Sequence, residues 1–164
     1  MCSCKKSTCA CTGAQLKRNA LGGAYGAVLV VDSGRYEPER ERLILLGGNI
    51  SGGRRPRING KNVPDTLRMR AGETYRLRLI HIIPDWIARI ALMQGDSVLS
   101  WRALAKDGAE LPPHLQTVRP ADLIAGPGET FDFEYRPTAQ GLLRLLVMQR
   151  TRIWKTELPI RVEP

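Results

Sequence analysis

No apolar run in this chain approaches the roughly 18–20 residues that a membrane-spanning helix needs. Lys5 and Lys6 have no apolar stretch behind them that would read as an export signal. As written, the sequence is therefore expected in the cytoplasm, with no membrane partner. Histidine is almost missing, with His81 and His114 the only two in 164 residues. Aromatic residues make up 5% of the chain and no recognised nucleic-acid module is visible, so the formal charge of +9 is not read as a specific nucleic-acid site. No cysteine lies beyond residue 11, which leaves the rest of the chain without a disulfide framework. Gly-rich phosphate loops, nucleophile elbows and zinc-protease motifs are absent as well.

The basic excess is uneven. Residues 1–57 carry 10 Lys/Arg against 4 Asp/Glu, and residues 58–164 carry 15 against 12. Arg54, Arg55 and Arg57 are its densest point, but elsewhere Lys and Arg alternate with Asp and Glu as on a solvated surface. The four cysteines form two C-x-C units, Cys2-Ser3-Cys4 and Cys9-Ala10-Cys11. Soft thiolates in pairs suit Cu(I) or Zn(II), although the spacing is not that of a C-x₂-C zinc knuckle. Residues 1–19 have no apolar period, so they are expected to form a disordered, thiol-rich tail, with metal binding by Cys2, Cys4, Cys9 and Cys11 as the alternative.

Beyond the tail the pattern is that of strands. Ala27–Val31 is a β-branched run, Arg35–Arg42 reads as a loop, Leu43–Leu46 as a short strand, and Gly47–Pro56 as a Gly/Arg-rich linker. In Thr74–Ile83, Tyr75, Leu77, Leu79, His81 and Ile83 alternate with Arg76 and Arg78, which predicts a core face and a solvent face. Ile87–Met93, Val98–Ala105 and the edge-like Thr117–Ala125 follow. Phe131, Phe133 and Tyr135 then alternate with Thr130, Asp132 and Glu134, and Leu142–Met148 and Thr156–Val162 complete the series. Pro112-Pro113 favours an extended loop over a central strand. Short strands at spacings of roughly 8–12 residues, with no long amphipathic helix, predict an all-β sandwich.

Several stretches, taken in order, resemble the multicopper oxidase (laccase-like) family. Leu21-Gly22-Gly23-Ala24-Tyr25-Gly26 through Val31 looks like the end of that family's first cupredoxin domain. Ile58-Asn59-Gly60 through Pro64, and Ala71-Gly72-Glu73-Thr74 through Ile80, are similar to the opening of its middle domain. Lys106-Asp107-Gly108-Ala109-Glu110-Leu111-Pro112-Pro113 and Gly126-Pro127-Gly128-Glu129-Thr130-Phe131-Asp132 resemble two of that domain's loops. The resemblance implies a Greek-key cupredoxin-like (plastocyanin-like) β-sandwich over 58–164. Ahead of it come a first-domain remnant over 20–34, a linker with one strand over 35–57, and the disordered tail over 1–19.

The resemblance also implies copper chemistry, in which substrate oxidation is coupled to reduction of dioxygen, in a family usually periplasmic or secreted. This chain departs from the family where the ligands belong. The family's copper cluster needs His-x-His pairs, and its mononuclear site needs two His and a Cys. Here His81 and His114 stand 33 positions apart, and every Cys lies in the tail. His81 is expected to be a hydrogen-bonded core residue and His114 an exposed loop residue. Met93 and Met148 fit core packing, while Met1 and Met69 belong to no ligand pattern. Asp107, Glu110 and His114 could mimic an acid–base group but are accounted for by the family loop. No catalytic residue is therefore assigned, and no copper is expected to be held by this chain. Its expected partners are other cupredoxin domains or a second copy of itself, with Trp86 as the candidate surface residue and Trp101 expected to be buried in its strand.

Overall fold

In a computed structural model of the chain, the described residues are 2–5, 8–11, 25–30, 34, 36–48, 56–84, 86–151 and 154–164. In chain order the strands are β1 (Cys2–Lys5), β2 (Thr8–Cys11), β3 (Glu41–Gly47), β4 (Arg57–Ile58) and β5 (Leu67–Arg70). They continue with β6 (Tyr75–His81), β7 (Ala88–Gln94), β8 (Ser97–Val98), β9 (Ser100–Lys106) and β10 (Ala109–Glu110). The last five are β11 (Val118–Pro120), β12 (Asp122–Ala125), β13 (Thr130–Tyr135), β14 (Gly141–Gln149) and β15 (Lys155–Glu163). Among the described residues, no helix is long and apolar enough to cross a membrane.

Two sheets make the sandwich. One runs β10-β9-β13-β6-β3-β4, with β11 also on β9; the other runs β12-β7-β14-β15-β5, with β8 also on β7. Most pairs are antiparallel, but β3 lies parallel to β6 and β5 parallel to β15. Period-2 alternation sends one set of side chains from each sheet into a shared core. Ile44, Leu46, Leu77, Leu79, Trp101 and Phe133 come from the first sheet, and Ile90, Leu92, Leu145, Val147, Leu158 and Ile160 from the second. Each such side chain is worth about 1.5–3 kcal/mol when fully buried. Trp101 and Phe133 stack with ring centroids 4.0 Å apart and planes 14° apart.

The tight turns follow from local sequence. Asn59-Gly60 and Asp107-Gly108 both have positive φ at the two central positions (51° and 78°, 49° and 77°). That is the type I′ geometry that Asn-Gly and Asp-Gly adopt most readily. Asp107-Gly108 joins β9 to β10, where Lys106 pairs with Ala109. Asn59 also acts as a substitute strand: its Oδ1 accepts from the Leu45 N–H at 2.7 Å and its Nδ2 donates to the Leu43 carbonyl at 3.0 Å.

The structure departs from the sequence reading at several places. The strand expected inside a 35–57 linker is β3, and it lies in the sandwich itself beside β6, so the sandwich begins before residue 58. Residues 25–30 form no strand of their own, although Ala27–Val31 is β-branched. The Tyr25 ring lies against Gly47, where an added Cβ would come within 2.6 Å of it, so that glycine makes room for the aromatic. Val98–Ala105 divides into β8 and β9, and the Pro112-Pro113 loop contains a 3-10 turn over Pro113–Leu115, with proline at its first turn, where no amide donor is needed. Thr117–Ala125 is not one edge piece. Its β11 pairs with β9 in the first sheet and its β12 with β7 in the second, so the chain changes sheets at the fully buried Ala121. There, the Ala121 N–H donates to the Leu99 carbonyl at 2.7 Å and its own carbonyl accepts from the Leu92 N–H at 2.9 Å. Within the segment 1–19, where an unfolded tail is expected, β1 and β2 pair as a short antiparallel ribbon; the rest of that segment lies outside the described residues.

Candidate metal centre

The two histidines are the only imidazoles a copper ion could use, and the sandwich keeps them apart in role. His81 ends β6 and is 1% exposed. Its Nε2 lies 2.7 Å from the Trp86 carbonyl, and its Nδ1 accepts a long bond of 3.4 Å from the Ile83 N–H. That pattern makes Nε2 the protonated nitrogen and leaves neither ring nitrogen free. His114 sits in the exposed 3-10 turn. Met69 is buried on β5, and Met93 and Met148 are half-buried on β7 and β14. Among the described residues, no three His, Cys, Asp or Glu side chains gather in a group that could hold a metal ion. These side chains do not fit a copper centre of the kind the resemblance implies.

Burial holds the His81 imidazole below its ordinary value, partly opposed by the bond to the Trp86 carbonyl and by the charge of Glu129. Because the unfolded chain binds this proton and the folded chain resists it, His81 contributes stability that is complete above about pH 6.5 and declines as pH falls through and below that value. The urea midpoint is expected to fall between about pH 7 and 5.5, above the range where most carboxylates titrate. H81Q should flatten that slope, and identical slopes in the two proteins would refute the assignment.

The loop residues with acid–base potential are structurally engaged. Asp107 Oδ1 accepts from the Thr130 N–H at 3.0 Å, closing the β9–β10 turn onto β13. Glu110 accepts from Arg76 at 2.6 Å, and His114 remains exposed on its turn. Asp107, Glu110 and His114 thus have separate environments. The Gly-Pro-Gly-Glu segment is likewise a turn: the Gly126 N–H donates to Glu129 Oε2 at 2.6 Å, and the Gly128 N–H donates to the His81 carbonyl at 2.7 Å. Burial alone would raise the Glu129 carboxyl, but the Gly126 N–H and the Lys106 ammonium, 3.0 Å away, bring it below its ordinary value.

The most concentrated charge lies where alternation predicts solvent. Arg78, expected to be exposed, is 4% exposed and Asp132 3%. Arg78 donates to Asp132 at 2.5 Å and forms two bonds to Glu41, at 2.5 and 3.0 Å. Arg76 donates twice to Asp132, from Nε at 2.9 Å and from Nη2 at 2.7 Å, and the same Nη2 donates to Glu110. Burial pushes the Asp132 carboxyl upward, against the pull of Arg78 and Arg76. The cluster links β3, β6, β13 and β10 across the outer face of the first sheet. Its one sequence signal is matched charge on strands that pair, and it becomes readable only once the register Arg78↔Asp132 is known. Trp86, expected at the surface, is 3% exposed and packs edge-on against Trp154 with centroids 5.1 Å apart.

This architecture is that of a cupredoxin-like β-sandwich. The fold is similar to that of a blue copper oxidase from Nitrosomonas europaea (TM-score 0.69, 17% identity, covering 98% of this chain and 57% of that one). It is also similar to a copper-containing nitrite reductase from Thermus scotoductus SA-01 (TM-score 0.67, 17% identity, 95% and 40% covered). A third similar structure is a laccase-like multi-copper oxidase from Ochrobactrum sp. (TM-score 0.63, 17% identity, 84% and 35% covered). The chain therefore spans between about a third and somewhat over half of these proteins. No protein-family model and no curated protein matches the sequence.

Proposed function

We propose that this chain is part of a multicopper-oxidase-type architecture whose sandwich serves as a structural spacer and has no copper site of its own. The observation that carries this reading is His81: the one buried imidazole has both ring nitrogens committed, to Trp86 and Ile83. A ligand imidazole needs one nitrogen free for the metal, with the other held by a partner. Freeing His81 would break contacts at the end of β6, and His114 lies apart from that strand end in chain order, exposed on the 3-10 turn after β10. The fold shared with copper oxidases and the partial coverage of their chains support the same reading. In such an assembly the sandwich would hold neighbouring copper-bearing domains at a fixed separation.

The test uses the purified full chain. Added Cu(II) should produce no intense blue absorption band, and the protein should consume no dioxygen with a phenolic reductant. In a variant carrying C2S, C4S, C9S and C11S together, no copper should survive desalting in the presence of a chelator. One tightly held equivalent in that variant would place a copper site in the sandwich and overturn the reading.

A further inference from the structure

The ribbon formed by β1 and β2 places all four cysteines in register: Cys2 pairs with Cys11 and Cys4 with Cys9. Residues two apart on a strand share a face, and directly paired residues share it too. Cys2, Cys4, Cys9 and Cys11 therefore occupy one face of the ribbon, with Ser3 and Ala10 at the alternate positions. Paired Cα atoms in an antiparallel ladder are about 4.5–5.5 Å apart, and positions two along a strand about 7 Å. The four positions thus form a small rectangle, short across the strands and longer along them.

From this register we propose that the ribbon is a thiolate site for a soft d10 metal ion, with Cu(I) as the ion it suits best. Three features of the chain point the same way. The donor set of the segment is all sulfur: the first histidine in the chain is His81 and the first acidic residue Asp32, so the segment itself offers no ligand to hard or imidazole-seeking ions. Lys5 lies on β1 itself and Lys6 follows it in sequence, and positive charge beside a cysteine in the chain favours thiolate over thiol. Finally, a ribbon of four residues per strand cannot hold itself together in water, and this one has no apolar face to bury. A bound ion would supply the missing cross-link, as structural metals do in other small elements. Cu(I) accepts two or three thiolates, which one short edge of the rectangle, with or without a third corner, can offer. Zn(II) requires all four in a tetrahedron. The site is independent of the sandwich and of the reading proposed for it.

The experiment is an anaerobic titration of the reduced full chain with Cu(I) against a competing chelator, followed through ultraviolet thiolate-to-metal absorption and the number of titratable thiols. Wild type should take up about one equivalent and lose reactive thiols in step. C2S/C4S/C9S/C11S should lose the uptake, while far-ultraviolet circular dichroism of the sandwich stays unchanged. Zn(II) uptake with the same cysteine dependence, in place of Cu(I), supports the thiolate site with zinc as its ion. Unchanged Cu(I) affinity in C2S/C4S/C9S/C11S overturns the proposal. So does a reduced wild type that takes up neither ion, even if its oxidised form carries Cys2–Cys11 and Cys4–Cys9 disulfides.

Discussion

Replacing Asp132 with Ala should lower the unfolding free energy by about 3 kcal/mol, the lower part of the range for breaking a buried ion pair. Asp132 receives three guanidinium bonds, from Arg78 Nη1 and from Arg76 Nε and Nη2. Without it, Arg78 keeps its two bonds to Glu41 and remains buried with Nη1 deprived of its carboxylate. The cost is held at that end because Arg76 is partly exposed and can lean on Glu110. Urea denaturation gives the number, and a cycle of D132A, R78A and the double variant gives the coupling. The double variant should cost less than the sum of the singles by about 1–3 kcal/mol, since each single change strands the other's charge. An additive cycle with D132A below about 1 kcal/mol would show that solvent already screens the cluster.

Trp101 to Ala should be at least as costly, at about 3–5 kcal/mol. Its side chain is 2% exposed on β9 of the first sheet and stacked on Phe133 of β13. Truncation removes the burial, the stacking and the volume together, and β9, held between β11 on one side and β13 on the other, has little freedom to collapse into the gap. W101F should recover a large part of the loss, because a ring remains against Phe133. Equal destabilisation by W101A and W101F would show that the indole's size, not its stacking, decides the site. Near-complete stability in W101A would mean that this part of the core is not closely packed.

Much of the fold is legible in the sequence because one residue in two carries the signal. Tyr75, Leu77 and Leu79, and Phe133 with Tyr135, define core faces before any register is known, and all five are buried. The turn dipeptides at residues 59–60 and 107–108 state their own geometry. What alternation misses is the second face of a strand that is covered as well. Ile80 and Leu45 sit on the same outer face as Arg78 and are buried with it, because burial there depends on what lies over the sheet rather than on the strand's own pattern. β3 is misplaced for a related reason. Its parallel neighbour β6 lies some thirty residues further on, and no local cue announces a partner at that distance. Trp86 reads as a candidate for a partner-facing surface, yet it is buried, with Trp154 packed edge-on against it. For the candidate metal centre, sequence supplies the inventory of donors. Only the structure shows that His81 is already spent on Trp86 and Ile83.

The parallel pair of β5 and β15 bears on how the molecule is made. β5 lies at the edge of its sheet, and among the described residues its only strand neighbour is β15, with Leu67 opposite Ile160 and Arg70 opposite Glu163. The Arg68–Glu163 ion pair and the bond from the Ala71 N–H to the Glu163 carbonyl tie the same two ends. A ribosome releases β5 long before it releases β15. For that interval Met69, buried in the finished protein, has no strand to cover it, and the second sheet lacks its edge. At about 5–20 residues per second the wait lasts several seconds, long enough for a half-made chain to meet another. Closing the sandwich is thus an act of β15, and a nascent chain stalled before β15 would present β5 as an open invitation to pair with the wrong partner.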